Sequence, residues 1–211
     1  MRTTGKKHLS GNLMILCGAA MIASALCLMQ YNIHASENAG TVSEKAVSEF
    51  LEFTDVKKNE SGYVPNIPVK YSGVNENGSE NTGSFTGTDG AEFTAVIEIP
   101  VLDRKLPVCS TLSTENLEKY PCRYSGSVSE NNIIIAAHNY DSHFGSIKSL
   151  QNGDEIILTD VYGNSTVYTV TETEVIPGNA AGDMKAGNWN LTLFTCDLSG
   201  KNRITVRAVK I

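Results

Sequence analysis

The chain opens on its most one-sided stretch of pattern. From Leu13 to Met29 it reads LMILCGAAMIASALCLM without a charged residue, and Arg2, Lys6 and Lys7 stand before it. A helix rises about 1.5 Å per residue, so the stretch from Leu13 to about Ile33 covers roughly 30 Å, the hydrocarbon thickness of a bilayer. The basic residues before it and Glu37 after it orient the N-terminus inside and the remainder outside. Residues 1–35 are read on this basis as a basic cytoplasmic tail and a single-pass transmembrane signal anchor. The other reading is a cleaved signal peptide ending at the small residue of Asn32–Ala35, and either one exports the rest of the chain.

A different period begins after the anchor. Val42, Ala46, Val47, Phe50 and Leu51 recur at helical spacing, with Ser43, Glu44, Lys45 and Glu49 between them, which predicts a short amphipathic helix over 42–53. From Thr54 to Asp89 the composition turns to Asn, Gly, Ser, Thr and Glu, most clearly in NENGSENTGSFTGTDG, and such a stretch buries too little apolar surface to order itself. Residues 36–90 are accordingly an amphipathic helix and a flexible polar tether.

From residue 91 the pattern changes again, to short β-prone runs divided by Gly, Asn, Asp and Pro. They are FTAVIEI, NNIIIAAH, DEIILTDV, STVYTVTETEVI, NLTLFTC and RITVRAVKI. Many short strands without a repeated strand–helix alternation argue for a mostly β domain, a closed barrel or a sandwich, over residues 91–211. Two short helices interrupt it: Thr114–Lys119, with Ser113 as cap, and His143–Leu150, with Asp141 or Ser142 as cap.

Composition narrows the function. The 211 residues are 41% hydrophobic and carry a net charge of −6, which argues against nucleic acid as a partner, because phosphate binding needs a basic face. Three cysteines, Cys109, Cys122 and Cys196, lie beyond the anchor in a compartment where cysteines usually pair. An odd number leaves at least one thiol free. Cys109 and Cys122 either close a disulfide or serve as small buried residues.

Cys196 ends an apolar run and Arg203 opens the next. In a hairpin with the loop 197–202 they face each other, with Cβ atoms roughly 5 Å apart. A guanidinium there favours the thiolate and offers donors to a developing oxyanion. Arg207 lies four residues further, about 13 Å along a strand, too far to share that role. A nucleophilic thiol also needs a proton partner. His8 and His34 flank the anchor, which leaves His138 and His143. His138 comes directly after the buried run NNIIIAA, a rim position where catalytic groups tend to sit, whereas His143 in YDSHFG caps or packs at the next helix. Zinc held by His138, His143 and Cys196 is a weak reading without a Cys-x-x-Cys pair, so no metal and no cofactor is expected.

The joint pattern is more specific than any single residue. TLFTC at Thr192–Cys196 resembles the Thr-Leu-X-Thr-Cys signature of the sortases, surface transpeptidases of Gram-positive bacteria. IEIPVLDRKLPV resembles the opening strands of that family, IIIAAHNYDSHFG its histidine segment and RITVRAVKI its final arginine-bearing strand, in the right order across Glu92–Ile211. Alanine replaces the glycine that many members carry before the histidine, and Cys122 is an extra thiol, able to regulate the nucleophile by a disulfide if it lies close.

The resemblance implies a closed eight-stranded sortase-type β-barrel with Cys196 as nucleophile, His138 as acid and base, and Arg203 as oxyanion or positioning residue. Thr195 would contact substrate or shape the oxyanion site. The implied partners are the sorting-signal peptide of a surface protein, of Leu-Pro-X-Thr-Gly type, and a peptidoglycan-precursor or pilin amine as acceptor. A pilin-polymerising sortase and a non-catalytic, membrane-tethered β domain that binds a surface partner are the competing readings.

Overall fold

The computed structural model describes residues 6–59 and 83–211. Contacts divide the chain into two units, 1–37 and 38–211. The first is the leading part of one helix, α1 (Lys6–Asn59). Its apolar residues face outward, with Leu13, Met14 and Ile15 exposed at 63%, 75% and 71%. Among the described residues, α1 is the one helix long and apolar enough to cross a membrane, and a signal sequence has the same character.

The helix expected over 42–53 is therefore not a separate element. Nothing before Pro65 forces a stop: the segment contains no proline, and Ala, Glu, Ser and Lys propagate a helix. Helix continues from Thr54 through Asn59, where the sequence predicts tether. The rest of that predicted tether, 60–82, lies outside the described residues, and 83–90 is already part of the folded domain.

In the second unit α1 buries Ala39, Ser43, Ala46, Val47, Phe50 and Phe53, one stripe at helical spacing. This stripe packs with Phe85, Phe93, Cys109, Tyr120 and Cys122. Phe85 meets Phe50 edge to face at 5.9 Å, and Tyr120 meets Phe93 the same way at 4.9 Å. Outside the stripe, the Glu49 carboxylate accepts from the Thr88 amide at 3.0 Å and the Thr88 hydroxyl at 2.6 Å.

The strands are β1 (Phe85–Thr86), β2 (Glu92–Ile99), β3 (Arg104–Cys109), β4 (Cys122–Ser125), β5 (Ile133–Ala136), β6 (Glu155–Asp160), β7 (Ser165–Pro177), β8 (Leu191–Cys196) and β9 (Asn202–Lys210). Eight of them, β2 to β9, close a mixed barrel in the order β2-β3-β4-β5-β8-β9-β7-β6, with β6 returning to β2 and β1 as a two-residue edge. Only β3–β4 and β5–β8 are parallel. Alternate residues of each strand fill the interior: Ile97 and Ile99, Ile133 and Ile135, Leu191 and Leu193, Val206 and Ala208.

Two strands are not evident among the apolar runs. β4 has only four residues, and β3 contains Pro107. Beyond β2, the ladder of β3 touches another strand only at Cys109↔Cys122, and proline is tolerated in such a nearly free edge. The connection between these strands carries α2 (Thr114–Lys119), capped as expected by Ser113, whose hydroxyl accepts from the Asn116 amide at 3.1 Å. A third helix, α3 (Ala181–Lys185), precedes β8.

The helix expected over His143–Leu150 is absent. Only one tight 3-10 turn forms, Ile147–Ser149, with Ile147 N–H donating to Phe144 C=O and Leu150 N–H to Ile147 C=O. Phe144, Ile147 and Leu150 are all buried, and their spacing of three matches the 3-10 repeat rather than the α repeat.

If the second half of α1 belongs to the folded domain, Phe50→Ala should destabilise it by about 3–5 kcal/mol, as for other fully buried aromatic rings. Denaturant unfolding followed by circular dichroism measures this, and a change below about 1 kcal/mol would mean that the helix merely rests on the barrel.

Candidate active site

β8 receives a neighbour on each side. Along its antiparallel edge the register pairs Thr192 with Arg207, Phe194 with Thr205 and Cys196 with Arg203. The hairpin expected from sequence is thus present. Its loop is held by Asp197, whose carboxylate accepts from the Ser199 hydroxyl at 2.8 Å and the Asn202 amide at 2.8 Å. Those bonds hold the Asp197 carboxyl below the usual carboxylate range.

Along its parallel edge β8 pairs Ala136 of β5 with Phe194, and Ala137 N–H donates to Phe194 C=O at 3.1 Å. The ladder ends there, and His138 follows two residues after Ala136 as Cys196 follows two after Phe194. The same end of the barrel thus holds the ends of β5 and β8 and the start of β9. Cys196, His138 and Arg203 all line one cavity of about 240 Å³ there. Its remaining wall is apolar: Leu112 and Leu117 from the β3–β4 connection, Tyr124, Met184 and Phe194. Tyr124 packs edge to face on Phe194 at 5.3 Å.

Each of the three groups is held differently. Cys196 is half-buried at the rim. His138 is also half-buried, and desolvation pushes its imidazole below the usual value, opposed by the nearby Glu118 carboxylate. The guanidinium of Arg203 donates from Nη1 to the Gly200 and Asn202 carbonyls, each at 3.1 Å. Gly178 lies against it: a Cβ there would come within 3.0 Å of Nη1 and 2.7 Å of the Lys201 carbonyl oxygen.

The structure places the other sequence candidates elsewhere. Thr195 lies on the opposite face of β8 from Cys196, 1% exposed, with its Oγ1 buried and unpartnered, and it does not line the cavity. Direct contact between its hydroxyl and a substrate therefore does not follow from this geometry. His143 does not cap a helix. Its ring is 1% exposed, and burial, followed by the His138 charge, depresses it to about 4. Among the described residues no group of three or more His, Cys, Asp or Glu side chains is placed to hold a metal ion. Cys109 and Cys122 are free buried thiols on adjacent strands, inside the cluster under α1, and Cys122 faces Cys109 rather than Cys196. The Cys122 sulfur, and then burial, raise the Cys109 thiol above the ordinary range, which disfavours its thiolate.

A larger cavity, about 480 Å³, lies at the other end of the barrel, where β5 begins and β6 and β9 end. Arg123, Asp160, Tyr162 and Lys210 line it, without a cysteine or histidine, so size alone does not mark the reactive site.

A Sortase domain family model matches residues 97–211, more than half of the chain. The chain belongs to the sortase family. Sortase D of Bacillus subtilis (strain 168) is 28% identical over 100 residues, which cover 46% of this chain and 50% of that relative. The match therefore spans half the length of that curated relative. Among solved structures, the Clostridium perfringens Sortase D5 transpeptidase superposes with a TM-score of 0.58 at 22% identity, covering 81% of this chain and 99% of that one. Sortase A from Corynebacterium diphtheriae gives a TM-score of 0.53 at 18% identity, covering 89% and 95% of the two chains. At these identities the two structures support the fold.

In this sortase the two arginines of β9 have separate tasks. Arg207 is 2% exposed, and its guanidinium meets Glu174 of β7 at 2.7 Å, Thr192 Oγ1 at 3.0 Å and the carbonyls of Met184 and Asp183 at 2.8 Å each. It ties α3, and with it the Met184 part of the cavity wall, to three strands. Sequence reasoning excludes Arg207 from the role given to Arg203 but does not foresee this one, because a buried cation bonded to a carboxylate, a hydroxyl and two carbonyls from other elements leaves no mark in spacing. The apolar wall is equally hidden: Leu112, Leu117 and Met184 come from connections without a strand period.

Arg207→Ala should cost at least about 2 kcal/mol, since it leaves the Glu174 carboxylate and two carbonyls without their donor. Arg203→Ala, which removes only loop contacts, should cost less than about 1 kcal/mol. Urea midpoints of the two variants test the ordering. His143 is expected to make the fold acid-sensitive. Its imidazole titrates near 4 when folded against 6.5 when unfolded, so between these values the unfolded chain binds more protons. Stability is full above about pH 6.5 and falls as pH drops toward 4, by on the order of 3 kcal/mol from this group. In His143→Gln the slope of stability against pH between 4 and 6.5 should flatten by one proton.

Proposed function

We propose that the protein is a membrane-anchored, extracytoplasmic cysteine transpeptidase acting on sorting signals of Leu-Pro-X-Thr-Gly type. The observation that carries this reading is the convergence of a thiol, an imidazole and a guanidinium on one apolar-walled cavity in a sortase barrel. The α1 segment preceding the barrel supports the anchored, exported arrangement, because it is uncharged from Leu13 to Met29 and comes after basic residues.

The chemistry derives from the three groups. The Cys196 thiolate attacks the scissile carbonyl carbon, and the charge that develops on the oxygen is stabilised by Arg203, which turns toward it from the loop carbonyls, and by backbone donors. Desolvation favours neutral His138, so the imidazole is ready to take the thiol proton. As imidazolium it gives that proton to the departing amine. A second amine then attacks the thioester, with His138 as base, and the new amide leaves. The acceptor is a cell-wall precursor amine, and the product is a surface protein fixed to the wall. The apolar wall of Leu112, Leu117, Tyr124, Phe194 and Met184 suits the leucine and proline of such a signal better than a charged peptide.

The test is incubation of the detergent-solubilised chain with labelled sorting-signal peptides, with the adduct mass read by spectrometry. Wild type should form an adduct lighter than the whole peptide by its leaving segment, and Cys196→Ala should form none. His138→Ala should lack the acylation burst. Arg203→Ala should retain the wild-type melting curve while turnover falls on the order of 100-fold, the usual cost of one oxyanion donor. No Cys196-dependent adduct across a panel of signal variants would instead favour a binding domain.

A further inference from the structure

The loop that carries His138 is fixed nearly everywhere except at the imidazole itself. Tyr140 C=O accepts from His143 N–H at 3.0 Å and Gly145 N–H at 2.9 Å, and Phe144 N–H donates to His138 C=O at 3.2 Å. Arg104 donates to Asp141 C=O from two nitrogens, at 3.2 and 3.1 Å. A Cβ on Gly145 would lie 2.7 Å from Tyr140 O, so glycine is required for the loop to fold back on itself. The imidazole of His138 stacks on the Tyr140 ring at 4.8 Å and 30°. The Tyr140 ring in turn meets His143 at 5.5 Å and 44°.

His143 ends on α1. Ser43 Oγ donates its single proton to Lys119 C=O at 2.9 Å, so its oxygen can only accept from His143 Nε2, 3.4 Å away. His143 is consequently the Nε2–H tautomer, and its burial keeps it neutral. The helix comes close enough here that a Cβ on Gly40 would stand 3.1 Å from Ser142 Cβ. A neutral, fully buried imidazole beside a helix hydroxyl is out of a substrate's reach, yet it forms the buried end of a stack that finishes at the rim of the cavity.

We infer that Tyr140 and His143 are positioning residues for His138, with Ser43 of α1 as the fixed end of the stack. This rests on the reading of His138 as the acid in acylation. In that step the Cys196 sulfur–carbonyl bond forms, the carbon–nitrogen bond breaks, and the departing nitrogen takes the His138 proton. An imidazole free to rotate off its axis still takes the thiol proton through water before the sulfur attacks, but it misses the departing nitrogen. The defect should then appear only where the leaving group needs a proton.

The test uses the full chain in detergent and two probes with the same acyl part: a peptide containing Leu-Pro-Ala-Thr-Gly, and the acyl peptide ending at threonine as a nitrothiophenyl ester. The thiophenolate leaves without a proton. Single-turnover acylation rates of both are compared as a ratio. His138→Ala should slow both probes, because the Cys196 thiol loses its base, and should slow the peptide further, raising the ester-to-peptide ratio on the order of 100-fold. His143→Leu and Tyr140→Leu should raise it at least about tenfold with the ester rate and KM for the peptide nearly unchanged. His143→Gln, which keeps a donor toward Ser43, and Tyr140→Phe, which keeps the ring, should restore the ratio to within about threefold of wild type. Should His143→Leu fail to fold, Tyr140→Leu at its half-exposed position makes the same measurement.

Equal loss on both probes, or an unchanged ratio, in the His143 and Tyr140 variants would overturn the positioning role while His138→Ala still showed its selective loss. An unchanged ratio in His138→Ala, or a wild type that takes neither probe, would overturn the acid reading and the positioning role with it.

Discussion

Two ladders meet on β8, and their registers determine where the candidate site residues lie. On one side the parallel pairing of Ala136 with Phe194 carries the end of β5 to the end of β8; on the other the antiparallel pairing of Cys196 with Arg203 brings back the start of β9. A slip of one residue on either side would turn the corresponding side chain to the other face of the sheet. The interior residues prevent that slip. Leu191 and Leu193, Ile133 and Ile135, and Val206 and Ala208 all fill the same core, and a one-residue shift would expose them together. The geometry of the site is thus held by hydrophobic residues that never touch it.

The barrel is least secure where β3 meets β4, at one bridging pair, Cys109↔Cys122. The stripe of α1 packs in the cluster that contains both cysteines together with Phe93 and Tyr120. Apolar burial and edge-to-face rings supply there the cohesion that ladder hydrogen bonds supply elsewhere. The consequence reaches the site, because the β3–β4 connection bears Leu112 and Leu117 of the cavity wall and Glu118, whose charge acts on His138.

The legible part of this structure is the part with a strict local period. Strands β2 and β5 to β9 alternate or run apolar between turn residues, and Ser113 before Thr114 is a cap with a mechanism. Cys196 and Arg203 are legible because a tight hairpin reduces their relation to counting, and His138 because it ends a buried run. The hidden part depends on partners distant in the chain. β4 is four residues long and β3 holds a proline, so neither shows a period. The continuity of α1 is hidden because hydrophobic spacing locates a face, whereas only a breaker locates an end. His143 looks like a residue at a helix start, but the segment folds as a loop because Phe144, Ile147 and Leu150 bury themselves three apart and Tyr140 C=O collects two amides.

Chemical type alone would not have sorted the cysteines or the arginines. Three thiols belong to the second unit, and two of them are fully buried under α1, where burial and a neighbouring sulfur favour the neutral form of Cys109. Of the three, only Cys196 is half-exposed and lines the apolar cavity. The arginines divide on the same principle. Arg207 directs four of its five N–H donors to Glu174, Thr192 and two carbonyls and is buried away from the cavity, whereas Arg203 lines the cavity and bonds from one nitrogen to loop carbonyls. Four residues along one strand separate a cation bonded into the interior from one that lines the cavity. The difference between them is the depth at which the barrel places each, with the candidate member of each residue type kept at the rim.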